Sequence, residues 1–132
     1  LPDNIKPRFG VIRDTINSSS KKVDNIPNTC TIIIKPAGNA TRLLSGQYSV
    51  FQKRVCINLK TDAGGEDKVR YGYEVLEQIK DKIDKLNNVI VTLPNEKIFS
   101  IIKTQRTVDS NYIGLNEQGI HTFSLEYIIF YN

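Results

Sequence analysis

The clearest element in this sequence is an apolar stripe at helical spacing. Val69, Tyr73, Leu76, Ile79, Ile83 and Leu86 recur three and four residues apart, which on a helix of 3.6 residues per turn brings them onto one side. Glu66 and Asp67 fall in the first turn, and Lys82 and Lys85 near the end, each where its charge complements the helix dipole. Asn87 and Asn88 supply a stop. A single amphipathic helix must bury its stripe against something else, so the rest of the chain has to provide a packing surface.

Four segments have strand character. "TCTIIIK", from Thr29, is β-branched and apolar and lies between Pro27 and Pro36. In "SVFQKRVCINLKT", Phe51, Val55, Ile57 and Leu59 share one face, and Gln52, Arg54, Asn58 and Lys60 the other, as in a half-buried strand. Lys53 is an exception on its apolar side. After a Pro94–Asn95 turn, "KIFSIIKTQRTV" carries apolar residues on both faces, which suggests a central strand; "DSNYIGLNEQG" then reads as a turn-rich loop. In the last segment, "IHTFSLEYIIFYN", Phe123, Leu125, Tyr127 and Ile129 alternate with Thr122, Ser124 and Glu126 until Ile128 and Phe130 break the pattern. The expected fold is α+β: a mixed or antiparallel sheet of about four strands with the helix on one face. A single domain over 1–132 is expected, with 1–28 an irregular N-terminal arm and 29–132 the sheet–helix core.

The charges are unevenly spread. Residues 1–60 hold ten Lys/Arg and three acids, and residues 61–132 hold eight and eleven. A basic half can contact nucleic acid, and complementary halves can meet head to tail in an oligomer. The basic residues are scattered rather than clustered, which favours the oligomer. No apolar run approaches the roughly 20 residues of a membrane span, so no membrane partner is expected. Cys30 and Cys56 are expected to be reduced, buried members of two strands.

Little here suggests catalysis. A nucleophile needs a base oriented by a third group, and His121, the only histidine, sits in an apolar register at the start of the last strand. Glu74, Glu77, Asp81 and Asp84 lie beside Lys80, Lys82 and Lys85, a solvated and paired helix face. Gly64–Gly65 is followed by acids, which repel phosphate. The cysteines lack metal-ligand spacing. No enzyme activity, catalytic residue, cofactor or metal is expected.

The remaining feature is the polar link from Pro36 to about Ser49, which joins two strands and is too long for a tight turn. Asn39-Ala40-Thr41 matches a glycosylation sequon, without force where no secretion signal is read. The link makes a long projecting β-hairpin with basic flanks, suited to contact. Lys35, Gly38, Asn39, Arg42, Lys53 and Arg54 are its candidate contact residues.

The order "IIKPAGN", polar arm, "VFQKRVCINLKT", helix "DKVRYGYEVLEQIKDKIDKL", strand and final "FSLEYIIFY" resembles the tail terminator (tail completion, or minor capsid) proteins of tailed bacteriophages and phage-tail-like particles. The similarity spans roughly residues 26 to 132, and the bend has one glycine where the pattern often has two. The resemblance implies a non-enzymatic virion protein at the head–tail interface, assembled in the host cytoplasm. It would form a homo-hexameric ring that caps the tail tube, stops its growth and offers a docking face to the head connector. Implied partners are the tail tube protein, the neck protein, a sheath protein where the tail contracts, and DNA only as it passes through the lumen. Another head–tail connector protein and a small basic nucleic-acid-binding module are the alternatives.

Overall fold

The computed structural model describes residues 1–9, 26–36, 41–42 and 48–132. Its strands are β1 (Lys6–Phe9), β2 (Thr29–Pro36), β3 (Thr41–Arg42), β4 (Tyr48–Ala63), β5 (Val89–Thr92), β6 (Ile98–Leu115) and β7 (Ile120–Tyr131), with one helix, α1 (Glu66–Asp84), between β4 and β5. The class is α+β. Six strands lie in the order β1-β2-β4-β7-β6-β5, and β3 pairs with β4 off this path.

The sheet is thus larger than the four strands expected. The extra strands are short and sit at its edges. β1 falls inside the stretch read as an irregular arm and pairs parallel to β2, with Lys6 opposite Thr29 and Phe9 opposite Ile32. Four residues, one of them Pro7, leave no alternation for a sequence pattern to detect. β5 forms a hairpin with β6 across the Pro94–Asn95 turn, Val89 opposite Ile101 and Thr92 opposite Ile98.

A second correction concerns β6, which continues to Leu115 through most of the segment read as a loop. Its pairing with β7 shifts register four times, the last between Tyr112 and Gly114. Such bulges insert unpaired residues and erase the period of two. β6 is also not central but next to the edge. The central strands are β4 and β7, paired from Phe51↔Tyr131 to Ala63↔Ile120.

The core lies where α1 covers these two strands. Leu59, Leu76, Phe123, Leu125 and Tyr127 are fully buried, joined by Ile57, Val75, Cys30 and Ile5. Each fully buried aliphatic or aromatic side chain contributes about 1.5–3 kcal/mol. The helix presents Gly72, Val75 and Leu76 to the sheet, whereas Tyr73 is 37% exposed and reaches Phe123 only edge-on. The buried line is therefore rotated toward Gly72, a residue that periodicity arguments pass over. On the face of β4 away from the helix, Asn58 and Lys60 are buried as well, so this part of the strand is covered on both sides rather than half-buried.

Candidate interaction surface

The base of the arm is the end of the β2–β4 ladder. Lys35 lies opposite Arg54, and Pro36 opposite Lys53. Pairing resumes farther out, with Thr41 opposite Val50 and Arg42 opposite Tyr48. Of the six candidate contact residues, Gly38 and Asn39 lie outside the described residues, and Arg42 is described only by its backbone pairing. Strand alternation splits the other three: Lys35 and Arg54 stand together on the face away from α1, and Lys53 stands on the helix-bearing face. They do not form one basic patch.

Arg54 is already engaged. Its Nε lies 3.2 Å from Glu126 Oε1. The same carboxylate accepts from Thr107 Oγ1 at 3.1 Å and from Cys56 Sγ at 3.3 Å. Burial first, and then the hydrogen bond to Glu126, raise the Cys56 thiol pKa. The cluster ties β4, β7 and β6 together on the outer face.

On the opposite face, α1 stops short of the sheet's end. Its last turn is held from below: Thr104 Oγ1 donates to the Ile83 carbonyl at 2.9 Å, and Tyr127 Oη donates to Asp84 Oδ1 at 2.7 Å. Burial, reinforced by that bond, pushes the Tyr127 phenol well above its ordinary pKa. From the side, Lys80 Nζ bridges Asp109 at 2.8 Å and Glu77 at 2.9 Å, and Arg106 approaches Asp109 at 3.3 Å. The helix end is therefore fixed over Tyr127 and Thr104.

Beyond it no described element covers the sheet, and there lies a cavity of about 380 Å³ lined by Ile34, Val55, Phe99, Ile101, Ile129 and Tyr131, with Lys53 at its rim. Tyr131 anchors the floor, stacked on Phe51 at 5.6 Å between ring centroids and edge-on to Phe99 at 6.0 Å. Ile34 is 62% exposed. An apolar cavity without convergent polar groups has nothing to orient a small substrate, but it can receive the apolar side chains of another protein surface.

His121 has a structural part. It is buried, its Nδ1 accepts from Tyr112 Oη at 2.8 Å, and its Nε2 donates to the Gly64 carbonyl at 2.7 Å. These bonds join the β6–β7 hairpin to the chain entering α1. Among the described residues, no three His, Cys, Asp or Glu side chains converge as a metal site would require.

The sequence reading missed the cavity because its walls come from four strands whose neighbours are set only by the sheet order. Ile128 and Phe130, where the alternation of β7 breaks, lie opposite Arg54 and Gln52 and so face away from the cavity; the two-sided apolar pattern of β6 was the available signal. Comparison with family models, curated proteins and solved structures found no match.

Proposed function

We propose that this chain is a structural protein of the tail-terminator kind, which closes as a hexameric ring on the end of a tail tube. In that role it stops tube elongation and presents a docking face to the head connector, with DNA passing through the lumen and a sheath protein alongside where the tail contracts. The observation that carries this reading is the β2–β3–β4 hairpin, whose strand pairing continues past Pro36 to Arg42 and Tyr48, ahead of a helix laid on a sheet completed by the last strands. An arm of this kind adds contact area between subunits without enlarging the core, and it can order on assembly. The uneven charge of the two halves suits heterologous contacts around a ring.

The test is assembly on tail tubes. The protein alone should be monomeric or weakly associating. Added to polymerising tube protein, it should shorten the tubes and give six-fold density at their ends in negative stain. Unchanged tube lengths with bare ends would overturn the reading.

A further inference from the structure

The β6–β7 hairpin ends in a rigid tip with an apolar and acidic surface. The Asn116 side chain accepts from the Gln118 and Ile120 amides at 2.9 and 3.0 Å, and the Gly119 amide donates to the Asn116 carbonyl at 3.0 Å. Gly119, at φ +78°, supplies the left-handed position the turn needs. Beside this turn, Ile113 and Leu115 are 58% and 61% exposed, and Glu117 is an exposed carboxylate. Two large aliphatic side chains held in water on a fixed turn cost little further entropy on docking.

The tip and the cavity lie at opposite ends of the same strands. Phe99 and Ile101 line the cavity, and Leu115 follows fourteen residues later on β6, about 40 Å along the strand. On β7, Ile120 adjoins the tip and Tyr131 floors the cavity. A chain cannot place its own tip in its own cavity. A second copy can.

We propose that the β6–β7 tip of one copy seats in the apolar cavity of the next, with Ile113 and Leu115 meeting Ile34, Val55, Ile129 and Tyr131, and Glu117 meeting Lys53 at the rim. Neither Glu117 nor Lys53 has an ion-pair partner among the described residues, and Ile34 on the cavity side and Ile113 and Leu115 on the tip side stay exposed among them. The contact joins two different surfaces, so a joined pair keeps one free cavity and one free tip, and repetition closes a ring or continues as a filament. The inference deepens the ring reading and rests on it only for closure.

Two measurements test it, each on the full chain. In the first, sedimentation velocity at rising concentration compares wild type with Lys53→Glu, Glu117→Lys and the double variant. Each single reversal should weaken self-association about tenfold, a typical scale for a charge pair turned repulsive, and the double variant should recover it. All three exchanges are on exposed side chains and should melt as wild type does. In the second, Lys53→Cys and Glu117→Cys chains are mixed under a mild oxidant. A covalent dimer should form in the mixture and not from either variant alone.

No self-association and no cross-link at high concentration would overturn the inference. So would single reversals without effect, or cross-linking within one variant, which would mean a symmetric contact. Cross-linking and charge-swap recovery without tube capping would uphold this interface while removing the tail-terminator reading. Capping that is indifferent to all these variants would do the reverse.

Discussion

Gly72 on the helix lies so close to Phe123 on β7 that a β-carbon there would stand 2.2 Å from the ring's Cε1. The backbone of α1 therefore rests directly on the aromatic ring. Gly72→Ala should gain up to about 1 kcal/mol of helix propensity and lose more to the clash, for a net destabilisation of about 1–3 kcal/mol. Urea unfolding measures it. Phe123→Leu in the same chain should recover part of the loss, so the double-mutant cycle should be non-additive. An additive cycle, or a stabilised single variant, would place the helix elsewhere.

That contact also marks where the sequence stops being informative. Phe123, Leu125 and Tyr127 alternate visibly, and the β4–β7 core follows from them. The helix is equally legible in Val69, Leu76, Ile79 and Ile83. Gly72 carries no side chain to register in a period, yet it sets the distance at which the helix docks. β1 and β5 are four residues each, too short to establish alternation, and exist because a neighbouring strand offers unpaired backbone groups. The bulges of β6 hide a strand inside a stretch of turn formers. The cavity was hidden for a different reason: it is an absence of helix over a sheet, decided by where Asp84 meets Tyr127 and Ile83 meets Thr104.

Cys30 sits on the helix-bearing side of β2, opposite Leu59, and is 2% exposed. Burial raises its thiol from an ordinary 9.0 to about 11. The folded chain thus holds a proton that the unfolded chain releases. The stability this contributes is complete below pH 9 and lost as the pH rises through 11, by up to about 3 kcal/mol for a shift of this size. Cys30→Ala should cost about 1 kcal/mol at neutral pH through the space it leaves, and should unfold with a shallower decline above pH 9 than wild type. In native protein, a thiol reagent should modify Cys56 well before Cys30. Identical alkaline slopes for variant and wild type would contradict this account.

The Lys80–Asp109 bridge makes its own pH prediction. The hydrogen bond from Lys80, and then the Ser110 amide, lower the Asp109 pKa, while the bonds to Asp109 and Glu77 raise that of Lys80. Asp109 therefore contributes above its unfolded pKa of about 4, and that contribution is lost as pH falls through its lower folded value. Lys80 contributes below about 10.5 and loses its contribution as pH climbs through its higher folded value. Asp109→Asn should lower the melting temperature slightly and evenly across neutral pH. The difference should vanish in strong acid and shrink in about 1 M salt, where the screening length is near 3 Å. A difference that grows on acidification would rule out the bridge as its origin.

His121 connects two parts of the chain through two short bonds, one to Tyr112 Oη and one to the Gly64 carbonyl. Replacing it with Phe keeps the ring's bulk but leaves a part-buried hydroxyl and the carbonyl of an exposed glycine without their partner, the first at about 1–3 kcal/mol and the second at less because water can reach it. His121→Phe should therefore destabilise by about 1–3 kcal/mol. Adding Tyr112→Phe removes one of the stranded groups, so the double variant should be less destabilised than the two singles summed. Amide hydrogen exchange gives the sharper readout. Gly64 leads into α1, whose N-cap Gly65 makes no side-chain cap bond, so the first turn depends on this tether. In His121→Phe the amides near Lys68 and Val69 should exchange faster, while those of β2 keep their protection. Uniform loss of protection through the sheet would instead make His121 a general packing residue, with no particular hold on the helix start.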